Sequence, residues 1–197
     1  MLVFYKERLV ILSVPKTGTT ALELAFRTRA DIVVANPPDL KHASIYRYNR
    51  FFRPMFDKVC DANLETVAVI REPVSWLGSW YRYRRRPEMK GHSNATHNVS
   101  FEEFVQAYVR GNPPPFAKIG SQARFVDPRD RGPGVTHLFR YEEPARLQQF
   151  LTERLGKMPE LTRQNASPKM ALDLSAKAEQ KYRKKCAEEF ALYDSID

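Results

Sequence analysis

Chemistry concentrates first at Pro15-Lys-Thr-Gly-Thr-Thr20. Lys16 brings a cation on a mobile stem, and Thr17, Thr19 and Thr20 bring hydroxyls. Gly18 lets the backbone turn tightly and approach an anion with no Cβ in the way. Where such a run opens a helix, the N–H groups of the first turn have no intrahelical partner and face the ligand. Phosphate or sulfate binding is the chemistry this combination serves. A second cluster is Arg71-Glu-Pro73 with Ser79 eight residues after the arginine. A guanidinium grips a phosphate through two parallel hydrogen bonds. Glu72 and Ser75 read equally well as caps of a helix opened by Pro73. The third candidate is His42, in Leu40-Lys-His-Ala43. With an ordinary pKa of about 6.5, its imidazole can accept a proton at neutral pH. A purely structural histidine would look the same locally. Lys41 beside it could bind sulfate or lower the proton affinity of the ring.

The first loop is not a Walker A motif, which needs Gly-x4-Gly-Lys-Ser/Thr. Leu12-Ser-Val-Pro15 precedes Lys16 and holds no glycine. Val67-Ala-Val-Ile70 ends in Arg71 rather than the aspartate that would help hold magnesium. An arginine there repels a divalent cation and attracts an anion, so a metal-free phosphate ligand is expected.

The elements that must position these groups follow from the pattern. Leu9–Val14 and Asp31–Ala35 read as buried strands, as do Glu65–Ile70 and Val135–Arg140. Thr19–Phe26 has helical spacing, placing the first loop between a strand and a helix. Residues 43–60 read as an aromatic-rich helix with a break near Pro54. A helix starts at Pro73, and residues 87–98 form a polar surface loop. Ser100-Phe-Glu-Glu103 is a capping box opening a helix that runs to about Arg110. Another spans 143–155 and stops at Gly156. Residues 172–193 form a last amphipathic helix with Tyr182, Cys186, Phe190 and Tyr193 on one stripe. Alternating strands and helices predict an α/β fold, a mostly parallel sheet flanked by helices. In such sheets ligands bind beyond the carboxyl ends of the strands, where both notable loops fall.

The 197 residues suit one domain spanning 1–197. A formal net charge of +9 favours anionic ligands. Its densest part, Tyr81–Arg86, reads either as a solvated helix end or as an anion-binding face. No helix-turn-helix, zinc-finger or ribonucleoprotein motif points to nucleic acid. No run reaches the ~18 apolar residues of a spanning helix. The charged N-terminus is unlike a secretory signal and belongs to the fold. Two cysteines with no ligand spacing suit a reducing, cytoplasmic setting. The Asn-X-Ser/Thr triplets at Asn94, Asn98 and Asn165 are read as chance.

Taken together, Pro15–Thr20 and Arg71-Glu-Pro73 with Ser79 resemble the two donor motifs of sulfotransferases that use 3′-phosphoadenosine 5′-phosphosulfate (PAPS). His137-Leu-Phe-Arg-Tyr-Glu142 is similar to that family's late strand, Phe150–Gly156 to its Phe-Leu-Gly region, and Asn165-Ala-Ser-Pro168 to a segment before its last helix. The resemblance implies the family's single-domain fold, related to nucleotide kinases. It implies that Lys16, Thr17, Gly18, Thr19 and Thr20 bind the 5′-phosphosulfate, and that Arg71 and Ser79 bind the 3′-phosphate. It further implies sulfuryl transfer to a hydroxyl or amine of a carbohydrate, lipid or small-metabolite acceptor. Lys16 would stabilise the leaving group and His42 would act as base, with no metal. Glu72 and Glu142 are alternative bases; His137 reads as packed, and nothing singles out His92 or His97.

The chain departs from the family's pattern in three ways. Ala21 stands where many relatives place a tryptophan. The Lys/Arg-Gly-x-x-Gly element is reduced to Lys118-Ile-Gly120, and the chain is short. Two other readings stay open: an ATP/magnesium phosphotransferase, and a non-catalytic nucleotide or anion sensor. The oligomeric state is not inferable from the sequence.

Overall fold

Met1–Arg8 is not a lead-in to the first expected strand but the first half of a hairpin that includes it. The structure, a computed structural model, describes residues 1–157, 159 and 170–197. Its elements in chain order are β1 (Leu2–Phe4), β2 (Leu9–Ile11), α1 (Thr19–Phe26), β3 (Ile32–Val33), α2 (Pro38–Lys41), α3 (Ile45–Arg47), a π-helical turn (Tyr48–Phe52), α4 (Arg53–Val59), β4 (Glu65–Ile70), α5 (Pro73–Arg84), α6 (Phe101–Tyr108), α7 (Gln122–Val126), β5 (His137–Arg140), α8 (Pro144–Leu155), α9 (Ala176–Lys185) and α10 (Ala187–Asp194). The Asn165–Pro168 segment lies outside the described residues. No helix among the described residues is long and apolar enough to cross a membrane.

The five strands form one sheet in the order β3-β1-β2-β4-β5. β2 pairs parallel with β4, and β4 with β5, while β1 runs antiparallel to both of its neighbours. Four strands therefore point one way and only β1 opposes them: an α/β fold on a mixed, mostly parallel sheet. The chain leaves β2 through α1 towards β3 on one side, and leaves β4 towards β5 on the other. That reversal between adjacent parallel strands is a topological switch point, where ligands of open α/β sheets bind. The 31–35 segment differs from its expected burial. It pairs over two residues at the sheet's edge, and Ile32 is 38% exposed.

Among the described residues the chain forms two compact units, one of 1–71, 122–157 and 196–197, the other of 72–121 and 170–195. The first holds the sheet. Alternation along β1, β2 and β4 puts Leu2, Phe4, Leu9, Ile11, Val67 and Val69 in one core with Leu22 and Phe26 of α1. Leu147, Leu151 and Leu155, spaced by four on α8, close that core. The residues between them (Val3, Val10, Ala68 and Ile70) are buried as well, so the strands read as near-continuous apolar runs. Ahead of Pro54, which has no N–H to give, the Arg53 N–H bonds back to the Tyr48 carbonyl, five residues away. The expected break is thus a widened π turn.

The second unit packs α5, α6, α9 and α10 around Trp76, Leu77, Tyr81, Phe101, Phe104 and Tyr182. Ser100 and Glu103 form the expected capping box of α6. The last helix is divided at Cys186 (φ −125°, ψ 43°) into α9 and α10, with Tyr182 and Phe190 still buried on one stripe. Arg84 and Arg85 serve neither a free anion face nor a solvated end. Arg84 donates to the Pro115 and Lys118 carbonyls, and Arg85 to those of Thr96 and His97, stapling two loops to α5.

Candidate active site

The loop after β2 takes its shape from two residues in the left-handed region. Lys16 has φ +69° and Gly18 φ +78°. For glycine this conformation is free of strain. For lysine it costs on the order of 1–3 kcal/mol, a strain found mostly where function requires it. Thr17, only 2% exposed, donates its hydroxyl proton to the Val14 carbonyl at 2.9 Å. That proton is committed inside the loop, unlike the ligand-directed hydroxyl that the sequence suggests. Gly18 caps α1, and its carbonyl accepts from the N–H groups of Ala21 and Leu22. Thr19 and Thr20 are the first two residues of α1, so their N–H groups belong to those a helix leaves without a carbonyl partner. No acidic residue lies in this first turn. The positive end of the helix is thereby kept for another anion.

Arg71 follows β4, adjacent in the sheet to β2, and the two motifs meet there. Its Nη1 donates to the Lys16 carbonyl at 3.4 Å. Its guanidinium carbon lies 4.5 Å from the ring centre of Tyr141, a cation–π contact. Tyr141 comes directly off β5, its N–H donating to the Ile70 carbonyl. The same ring borders the loop: a Cβ at Gly18 would lie 3.4 Å from Tyr141 Cε2. One aromatic side chain thus touches both motifs. Gln122, fully buried at the start of α7, holds the Arg71 backbone from the other side. Its Oε1 accepts from the Arg71 N–H at 2.9 Å, and its Nε2 donates to the Arg71 carbonyl at 2.8 Å. Tyr141 lies within the His137–Glu142 motif, where residue type alone gives it no role, and Gln122 lies outside every motif. An amide completing a strand end has no local signature.

His42 follows α2, and its Nδ1 lies 2.7 Å from the Ser13 carbonyl oxygen. A carbonyl can only accept, so Nδ1 carries the proton and Nε2 keeps its lone pair. Burial holds the imidazole below its usual pKa; the bond to Ser13 opposes that shift and the Lys41 ammonium adds to it. A neutral ring with a free Nε2 lone pair is what a general base requires. Lys41 itself is turned to Glu23, Nζ to Oε2 at 2.7 Å. Sulfate binding by Lys41 would require breaking that pair.

The remaining candidates lie as follows. Ser79 is buried on α5 in the second unit, at 7% exposure. Glu72 caps α5, its carboxylate accepting from the N–H groups of Val74 and Ser75 at 3.1 and 2.7 Å. His137 Nε2 is 2.8 Å from Glu65 Oε2 at the starts of β5 and β4, the opposite ends of those strands from Tyr141 and Arg71. His92 and Glu142 are exposed and His97 is half-buried.

No family model and no curated protein matches the chain. Among solved structures, it is similar to the crystal structure of a sulfotransferase from Alicyclobacillus acidocaldarius. The two share 16% identity, with a TM-score of 0.48 and 96% of each chain covered. A likeness that distant leaves the assignment of function to the residues of this chain.

Proposed function

We propose that this protein transfers a sulfuryl group from PAPS to a hydroxyl or amine of a small-molecule, lipid or carbohydrate acceptor. The observation that carries the reading is the meeting of the two motifs beyond β2, β4 and β5: Arg71 donates to the Lys16 carbonyl, and Arg71 and Gly18 both border the Tyr141 ring. It brings together the two motifs that resemble a donor site. The fit to the donor rests on Gly18, where the positive φ disfavours an L side chain and the absent Cβ leaves the loop open beside the Tyr141 ring. Lys16, Thr17, Gly18, Thr19 and Thr20 would hold the 5′-phosphosulfate, Thr17 through the loop backbone rather than its hydroxyl, and Arg71 and Ser79 the 3′-phosphate.

When bound, the donor supplies an electrophilic sulfur and a phosphate leaving group. The chain's own part is electrostatic and acid–base. Lys16 and the N–H groups at the start of α1 neutralise charge growing on the phosphate side, already oriented before the reaction begins. His42 Nε2 takes the proton of the acceptor, while Nδ1 stays anchored on Ser13. Tyr141 restrains the Arg71 guanidinium, which lowers the entropy lost on gripping a phosphate.

The test is transfer of radiolabelled sulfur from PAPS to a panel of hydroxyl- and amine-bearing acceptors, with no metal added. The expected result is labelled acceptor, lost in His42→Gln while affinity for 3′-phosphoadenosine 5′-phosphate (PAP) is kept. Full transfer by His42→Gln would remove the base from the reading. Turnover of ATP with magnesium, with PAPS ignored, would replace it by phosphotransfer.

A further inference from the structure

Glu23 lies on α1, five residues beyond Gly18, and is only 8% exposed. A carboxylate so deep is rarely tolerated unpaired. Its partner is Lys41 at 2.7 Å, with side-chain exposures of 11% for the glutamate and 17% for the lysine. Arg27, one turn further along α1, approaches at 3.7 Å but is itself 57% exposed. Lys41 is the last residue of α2, and His42 comes next, its N–H bonded back to the Pro38 carbonyl. The Glu23–Lys41 pair therefore ties the helix built on the Lys16–Gly18 loop to the residue preceding His42. An exposed pair would be loose and weak. With little of either side chain in water, this pair is screened less than an exposed one.

We propose that Glu23 and Lys41 form a positioning pair, a strut that fixes the His42 ring against α1 and sets the electrostatic field around it. The role as part of a catalytic site rests on the sulfuryl-transfer reading; the strut itself does not. Two tethers then define where Nε2 sits: the Ser13 carbonyl on the ring, and Glu23 through Lys41 on the backbone. The charged groups facing the ring are Lys41 from α2, Glu23 from α1 and the α-amino group of Met1 ahead of β1. That amino group donates to Ser13 Oγ at 2.8 Å and to the Lys41 carbonyl at 3.3 Å. Burial lowers the pKa of the Met1 α-amino group to about 6, so Lys41 is the cation that Glu23 offsets throughout the titration, and the amino group joins it only at the acidic end. Without Glu23 the Lys41 charge faces the ring unopposed, and a proton on His42 becomes harder to hold. Without Lys41 the carboxylate acts with less opposition, and the proton is held more tightly.

The experiment follows the His42 ring by proton NMR through a pH titration, its signal assigned by its loss in His42→Gln. It compares the unmodified protein, Glu23→Gln, Lys41→Met and the double variant. The expected result is a midpoint moved down in Glu23→Gln, up in Lys41→Met, and between the two in the double variant. The acidic limb of the kcat profile should move in the same directions, with PAP affinity unchanged. Midpoints that stay fixed, or move the same way in both single variants, would overturn the proposal. Should Glu23→Gln fail to fold, Lys41→Met and the double variant carry the same test, and an unmoved midpoint in Lys41→Met overturns it. The titration needs no substrate. Failure of sulfuryl transfer in the unmodified protein would therefore sink the proposed function without touching the strut, and a fixed midpoint would do the reverse.

Discussion

Gly18→Ala is the substitution whose cost the structure apportions most clearly. Two effects compete at this position. The added methyl would lie 3.4 Å from Tyr141 Cε2, an ordinary van der Waals contact that costs little. The backbone is another matter: φ is +78°, where an L side chain costs roughly 1–2 kcal/mol. Alanine recovers about 0.4–1 kcal/mol of that by restricting the unfolded chain. The backbone term wins, and the net loss is about 1 kcal/mol. For a chain of this size that corresponds to a fall of roughly 2–4 °C in Tm. Relaxing the strain would swing the Gly18 peptide and the start of α1, so PAP affinity should fall as well. Thermal unfolding and calorimetric titration with PAP, run on the same preparations, provide both readings. Repeating Gly18→Ala in a Tyr141→Ala background separates the causes, because a backbone penalty persists there and a steric one disappears. An unchanged Tm together with unchanged PAP affinity would refute the reasoning, and so would full recovery in the Tyr141→Ala background.

The other predictions concern the loop, Arg71 and His42. Thr17→Val removes the hydroxyl bond to Val14 and should cost about 0.5–1.5 kcal/mol in denaturant unfolding, with PAP affinity nearly unchanged because that proton already serves the loop. Gln122→Ala leaves the Arg71 N–H and carbonyl without their buried partners and should cost on the order of 1–3 kcal/mol. PAP should bind that variant more weakly than it binds the unmodified protein, a second reading in the same titration. For pH dependence, the folded protein holds His42 below the 6.5 of the unfolded chain. The unfolded state therefore binds the proton first, so the stability from keeping the ring neutral is complete above pH 6.5 and is lost as pH falls below it. Urea unfolding as a function of pH should show that loss, and His42→Gln should flatten it.

How much of this was legible in the sequence depends on the range of the forces involved. Thr19–Phe26 and the Ser100–Glu103 box agreed with their expected limits because caps and helical spacing act within a few residues. Glu65–Ile70 did so because Thr66–Ile70 is rich in β-branched residues and its apolar part is too short for a helix. The Leu2–Phe4 strand escaped notice since three residues carry no period; only pairing with Leu9–Ile11 makes them a strand. The halt at Cys186 was equally silent, with no glycine or proline to mark it. In the candidate site, Lys16, Gly18 and Arg71 were readable from residue type and spacing. The supports were not. Tyr141, Gln122 and Glu23 act across the fold, through a ring contact, a buried amide and an ion pair, and none has a short-range signature. Thr17 shows the opposite case, a hydroxyl whose type suggested a ligand and whose geometry turns it inward.

The central claim is that the Pro15–Thr20 loop and Arg71 build one donor site, with Arg71 on the 3′-phosphate. The direct measurement is calorimetric binding of PAP and of adenosine 5′-phosphate, without metal, to the unmodified protein and to Arg71→Ala. The account predicts that the unmodified protein binds PAP more tightly by about 1.5–3 kcal/mol, the worth of a charge-assisted contact, and that Arg71→Ala loses this preference while binding adenosine 5′-phosphate as before. Equal weakening of both ligands by Arg71→Ala, or a preference for PAP that survives it, would contradict the account.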